Sequence, residues 1–152
     1  MNSFYTITES LNSVLKAKGF RNINLGDQYK TDIMRQTIFP YALIIPETST
    51  PDGQVTDYTF RIIGMDLVDF NKDDLRDEIE PFYTTDNLQD VFNDIHNRFV
   101  QVIEQYQRGD ENSDLLKLVG ASLDAFFQRG ENLLAGWELT ITIQLPTGGS
   151  IC

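Results

Sequence analysis

Basic residues are scarce in this chain of 152 residues, where 12 Lys and Arg stand against 23 Asp and Glu and the formal net charge is −11. Proteins that grip nucleic acid neutralise phosphates with clustered Lys and Arg. No such cluster occurs here, and the densest acidic stretch, residues 66–80, would repel a phosphate backbone. We therefore expect no specific nucleic-acid binding, although an acidic surface along which DNA slides is compatible with this charge.

Histidine and cysteine are nearly absent, with His96 and Cys152 as the single examples. One cysteine excludes an intrachain disulfide, and one imidazole with one thiol cannot form a zinc site of the usual type. A nucleophile with a histidine base would need His96, which the helical pattern places on a polar face as an exposed residue. The phosphate-binding patterns GxGxxG and GxxxxGK[ST] are missing too. The sequence thus predicts no catalytic, cofactor-binding or metal site, and no enzyme.

Long hydrophobic runs are also missing. No apolar stretch approaches the roughly 18 residues that a membrane span requires, and residues 1–5 lack the features of a secretory signal. We expect that the protein has no membrane partner and that it assembles in a cytoplasm.

Core-forming residues are plentiful, with 41% hydrophobic residues that include ten Phe, six Tyr and one Trp. A chain of this length buries roughly two-thirds of its unfolded surface. We expect a single domain over residues 1–152, with a flexible C-terminal tail from about residue 146.

Two segments have helical periodicity. Residues 3–18 are predicted to be a helix capped by Ser3 and ended by Gly19. Its apolar stripe contains Phe4, Ile7, Leu11, Val14 and Leu15. Residues 87–107 are predicted to be a second helix, introduced by a capping box of Asp86 and Gln89. Its stripe contains Leu88, Val91, Phe92, Ile95, Phe99, Val102, Ile103 and Tyr106.

The remaining periodic segments alternate as strands do. Short strands are predicted near residues 21–25, 38–45 and 56–68, and the turn-rich residues 47–54 between the last two predict a hairpin with a loop. The final strand places Trp137, Leu139, Ile141, Ile143 and Leu145 on one face, with Glu138, Thr140, Thr142 and Gln144 on the other. Residues 113–127 are ambiguous, and we favour a short helical turn followed by a strand. The fold class is therefore α+β: one sheet of about four to five mostly antiparallel strands with two amphipathic helices packed on it.

One acidic segment has the spacing of a calcium loop, with oxygen donors at positions 1, 3, 5 and 12 (Asp69, Asn71, Asp73 and Glu80). The position that needs Gly for a sharp turn is Asp74, and the preceding segment is predicted to be a strand rather than a helix. A solvated acidic loop is the better interpretation.

Several local patterns resemble the tail terminator and tail-completion (neck) proteins of long-tailed bacteriophages. They are the helix with Leu11-Asn-Ser-Val-Leu15, the strands Phe39-Pro-Tyr-Ala-Leu-Ile-Ile45 and Tyr58-Thr-Phe-Arg-Ile-Ile63, the helix start Asp86-Asn-Leu-Gln-Asp-Val-Phe-Asn-Asp-Ile95, and the strand Gly136-Trp-Glu-Leu-Thr-Ile-Thr-Ile143. The resemblance covers about residues 3–145.

The resemblance implies a structural virion protein without catalytic residues, which forms a hexameric ring, ends polymerisation of the tail tube and connects it to the head. Its partners would be further copies of itself, the tube protein and head–tail connector proteins, assembled in the bacterial host cytoplasm. Another neck, head-completion or baseplate protein, or an unrelated acidic binding module, are the alternatives. The residues that we expect to contact a neighbouring copy lie in the projecting loop 48–56: Thr48, Thr50, Pro51, Asp52, Gly53 and Val55.

Overall fold

The structure is a computed structural model that describes residues 3–26, 39–67, 88–108, 116–128 and 134–146. Its helices are α1 (Ser3–Ala17) and α2 (Leu88–Arg108). Its strands are β1 (Asn22–Leu25), β2 (Tyr41–Asp52), β3 (Val55–Leu67), β4 (Lys117–Gln128) and β5 (Leu134–Pro146). Both predicted helices are confirmed to within about one residue at each described end.

The five strands form one mixed sheet in the order β1-β2-β3-β5-β4. β1 runs parallel to β2, and the β2–β3, β3–β5 and β5–β4 pairs are antiparallel. The predicted α+β class, with mostly antiparallel strands and two packed helices, is confirmed. The Phe39–Pro40 peptide bond is cis, and Pro40 lies immediately before β2, where its missing N–H is tolerated.

Both helices pack on the same face of the sheet. They run antiparallel, because Ser10 Oγ of α1 lies 2.8 Å from the Tyr106 hydroxyl of α2 while the Lys18 carbonyl accepts a hydrogen bond from Arg98 at 3.0 Å. The core between helices and sheet consists of fully or almost fully buried side chains, which include Ile7, Leu11, Leu15, Ile95, Phe99, Ile62, Leu139, Ile141 and Ile143. The apolar stripes read from the sequence face this core except at Phe4, which is exposed, and the side chain of Leu88 lies outside the described part of the chain. Burial of each core side chain contributes about 1.5–3 kcal/mol.

The predicted glycine at the end of α1 adopts the expected left-handed conformation, with φ 99° at Gly19. The Phe20 N–H donates to the Leu15 carbonyl and the Gly19 N–H to the Lys16 carbonyl, both at 3.1 Å, which is the Schellman pattern. A Cβ at Gly19 would also collide with the Arg98 guanidinium. The positive φ is what requires glycine at this position, since the flexible Arg98 side chain could move away from an added Cβ.

The structure corrects the interpretation of residues 113–127. Residues 117–122 belong to β4 and form no helical turn, while residues 109–115 lie outside the described part of the chain. β4 pairs with β5 from Lys117↔Gln144 to Gln128↔Leu134, with a bulge between Leu118 and Gly120. The bulge shifts the alternation of the side chains by one residue, and this shift hides the strand period in the sequence.

One end of the sheet is apolar on both faces. Opposite the helices, Tyr41, Leu43, Ile63, Met65 and Leu134 form a second cluster of buried side chains. The helix-distal face is polar only farther along β3 and β5, from Arg61 and Glu138 onward. The simple alternation read from the sequence did not predict this second cluster.

Candidate oligomer interface

The residues expected to contact a neighbour lie in a regular β-hairpin rather than in a projecting loop. Thr48, Thr50, Pro51 and Asp52 belong to β2, Val55 begins β3, and only Gly53 and Gln54 form the turn. Gly53 has φ 60°, which glycine adopts without strain, and the Gln54 N–H donates to the Asp52 carbonyl across it, the i→i+2 hydrogen bond of a γ-turn. The predicted loop conformation is therefore wrong. Residues 48–52 form a strand, in which backbone hydrogen bonds to β3 satisfy the N–H and C=O groups that face β3.

The hairpin is not a free arm either, since β3 pairs with β5 over its whole length, from Val55↔Pro146 to Leu67↔Leu134. Only its β2 side is open: β1 covers Tyr41 to Ile44, and no described strand pairs with the outer edge of β2 beyond them. Residues 46–52 are exposed, as are Gly53 and Gln54. We call residues 50–55 the hairpin tip.

Two prolines modify this open edge of β2. Asp52 and Val55 flank the turn as a hydrogen-bonded pair, so the next pair, Pro51↔Thr56, directs its backbone groups outward. The Ile44 carbonyl accepts a hydrogen bond of 3.0 Å from the N–H of Gly26, just after β1, and therefore lies on the outer edge of β2. The nitrogen of Pro46 lies on the same edge, because backbone groups of alternate residues in a strand point the same way. Neither proline has an N–H to donate there, and a bulge follows Pro46. Such an edge is a poor template for an added strand.

Polar side chains connect the strands on the face away from the helices. Arg61 lies between two carboxylates, with Nε 3.4 Å from Glu47 Oε1 and 3.3 Å from Glu138 Oε1. The hydroxyls of Thr59 and Thr142 are 3.0 Å apart, and Gln144 donates to Asp57 at 3.0 Å. These cross-strand pairs hold β2 and β3 on β5. Asp52, the carboxylate at the hairpin tip, has no ion pair among the described residues.

A groove at the opposite edge of the sheet was not predicted from the sequence. It has a volume of about 560 Å³ and lies between the C-terminal turn of α2 and the first half of β4. We call it the α2–β4 groove; its lining includes Ile103, Tyr106, Arg108, Leu116, Lys117 and Val119. Val119 is 54% exposed, and Arg108 and Lys117 are exposed cations with no ion pair in the described part of the chain. The groove combines apolar lining with positive charge on an otherwise acidic protein.

A third cluster surrounds Asp66 near the C-terminal end of β3. Burial raises the pKa of the Asp66 carboxyl, and the carboxylate of Asp94 raises it further. Two other contacts lower that pKa and only partly offset these effects: the Leu67 N–H, which donates to Asp66 Oδ1 at 2.8 Å, and the charge of Arg98. Arg98 also donates to Asp94 at 2.9 Å and to the Lys18 carbonyl, so the cluster joins α1, α2 and β3. We assign it a structural role.

The residues considered for chemistry are not brought together. His96 is half-buried rather than exposed, because its ring packs edge-on against Trp137 with centroids 4.9 Å apart. The predicted exposure of His96 is therefore wrong, since its place on the helix lies above the strand that carries Trp137. Cys152 and the acidic segment 69–80 lie outside the described residues. Over the described ranges, no group of three His, Cys, Asp or Glu is placed to hold a metal ion.

None of the described helices is long and apolar enough to cross a membrane. No protein-family model matches this sequence, and no curated protein is significantly similar to it.

Proposed function

We propose that this chain is a structural virion protein, a tail terminator that forms a ring at the head-proximal end of a phage tail tube. Such a ring ends polymerisation of the tube and connects it to the head. The observation that carries the proposal is the element order α1–β1–β2–β3–α2–β4–β5, because the resemblance to tail terminators rests on the same succession of helices and strands.

Two further properties support this proposal. The exposed hairpin tip and the edges of β2 and β4, with which no further described strand pairs, give the protomer surfaces for contacts between different patches of identical copies, which is how rings form. The formal net charge of −11 suits a ring around a DNA channel, because negative charge keeps DNA from adhering to the wall.

Another neck, head-completion or baseplate protein is the nearest alternative. An acidic protein-binding module is a second alternative, which the α2–β4 groove favours because a groove of about 560 Å³ is large enough for a few side chains of a partner. These alternatives differ in where the protein resides, so its location in the particle separates them.

Labelling of the intact virion tests the proposal. A short affinity tag appended after Cys152 would be marked with gold and imaged by electron microscopy. We expect label at the junction of tail and head. Label at the distal baseplate would contradict the terminator assignment. Virions that contain neither the tagged chain nor an untagged copy supplied by complementation would also contradict it.

A further inference from the structure

Opposite charges occupy the two lateral edges of the sheet. The hairpin tip on the β2 side carries the exposed carboxylate of Asp52, while Glu47 and Asp57 farther along the same hairpin already contact Arg61 and Gln144. The α2–β4 groove on the other side carries the exposed cations Arg108 and Lys117. A patch of each sign on one protein is electrostatically complementary between copies, even though the whole chain is strongly acidic.

The tip and the groove lie at the same end of the sheet. Val55 at the tip is in register with Pro146, and Gln144, two residues earlier on β5, is in register with Lys117 at the groove. β2 and β4 are separated by three strand spacings, or about 14 Å. Because β3 and β5 fill that interval, the tip cannot reach the groove of its own chain, and only another copy can bring the two together.

The local chemistry favours insertion of the turn over addition of a strand. Pro46 and Pro51 remove donors from the open edge of β2, so its backbone is a poor template for a strand of a neighbour. The turn itself is narrow, with Gly53 at its apex and nothing within 4 Å of the position where a Cβ would stand. The groove offers the apolar surface of Ile103 and Val119, against which Pro51 and Val55 of the tip can be buried.

We propose that the hairpin tip of one copy is seated in the α2–β4 groove of the next copy, with Asp52 facing Arg108 and Lys117. The contact joins two different surfaces of the same chain, and such contacts close into rings or continue as filaments. Since both surfaces lie at one end of the sheet, neighbouring copies are related with little displacement along the strands, which favours closure. The inference rests on the proposed ring and names the contact that builds it.

Charge exchange across this contact is the test. We would measure the mass of the purified full-length chain by light scattering and native mass spectrometry, for the parent protein, Asp52→Lys, Lys117→Asp and the variant with both changes. Each single change should weaken association about tenfold, because an attractive pair becomes repulsive. The double variant should recover most of the loss. Matched controls at exposed positions of α1, Glu9→Lys and Lys16→Asp, should leave association unchanged.

Cross-linking gives a second readout that does not depend on charge. In a Cys152→Ser background, Gln54→Cys and Val119→Cys would be combined in one chain and oxidised. We expect a ladder of covalent oligomers that ends at the ring number, whereas either cysteine alone should give dimers at most. Circular dichroism would verify that every variant is folded.

The outcomes separate this inference from the function proposed above. If the parent forms a ring, the charge variants associate as strongly as the parent and no cross-linked ladder appears, then the tip-to-groove contact is wrong while the proposed ring-forming terminator stands. If the parent forms no oligomer and no ladder at low salt and millimolar concentration, the contact is likewise overturned, and labelling of the virion then tests the terminator function separately.

Discussion

The indole Nε1 of Trp137 donates a hydrogen bond of 2.9 Å to the main-chain carbonyl of Phe92, which joins the interior strand β5 to the N-terminal part of α2. The rings of the same two residues meet nearly edge to face, with centroids 6.1 Å apart. A buried indole needs such a polar partner, and this one fixes the position of α2 along the sheet. Trp137 therefore packs beneath α2 and against Phe92, on the same face of β5 as Leu139 and Ile141.

Replacement of Trp137 by alanine should therefore lower the free energy of unfolding by about 3 kcal/mol, the lower end for truncation of a large aromatic residue because Trp137 is only half-buried. Trp137→Phe, which keeps most of the ring and loses the hydrogen bond, should cost about 1 kcal/mol. Urea denaturation followed by circular dichroism gives both values. Equal stability of Trp137→Ala and the parent would contradict the packing described here.

A second prediction concerns the close approach of Phe99 to the sheet. An added Cβ at Gly64 would stand 2.5 Å from Phe99 Cζ and 3.1 Å from Phe20 Cε1. Gly64→Ala should thus destabilise the fold by about 1–3 kcal/mol through overpacking. Gly120→Ala is the matched control, since nothing lies within 4 Å of its Cβ position. If the two variants had the same melting temperature, the proposed contact between α2 and β3 would be wrong.

The contact of His96 with Trp137 makes a spectroscopic prediction, because Trp137 is the only tryptophan. His96→Ala should expose one edge of the indole, shift its emission to longer wavelength and increase quenching by acrylamide. Asn97→Ala alters an exposed neighbour on the same helix and should change neither quantity. An unaltered spectrum in His96→Ala would support the exposed position that the sequence pattern predicted.

Asp66 links stability to pH. Its pKa is raised in the folded state, mainly by burial, so folding favours the protonated form. The stability associated with that proton is fully present below the unfolded pKa of about 3.9 and is lost as pH rises through the higher folded pKa. Asp66→Asn should therefore be more stable than the parent at pH 7, and the difference should shrink as the pH falls toward 4.

Chemical denaturation at several pH values checks this expectation. Asp124→Asn, at an exposed position on β4, is the control for the general effect of removing one negative charge. A parent that is more stable than Asp66→Asn at pH 7 would mean that the attraction of Arg98 outweighs burial.

Local periodicity was sufficient to predict most of this fold, and it failed where long-range pairing decides the structure. α1, α2 and β5 each present one continuous apolar stripe, so the sequence predicts their type and their buried faces. The bulge near Gly120 breaks the stripe of β4, and the Thr, Ser and Pro residues of 47–52 have turn-forming composition although they pair in a ladder. Composition describes local preference, and cross-strand partners override it.

The candidate interface was predictable only in part for the same reason. The sequence predicts that residues 48–56 project from the domain, because their composition is rich in turn-forming residues. The α2–β4 groove needs Arg108 and Lys117 to be brought together with Ile103 and Val119 at the edge of the sheet. No spacing in the sequence reports that arrangement, since it depends on how α2 crosses β4.

The proposed function places the gene for this chain in a phage genome, and deletion of that gene, followed by electron microscopy of the lysate, tests the proposal most directly. The account predicts filled heads without tails, accompanied by tail tubes of uncontrolled length, and complementation by the parent gene should restore normal virions. Tails of normal length joined to heads, or empty heads that never packaged DNA, would contradict it.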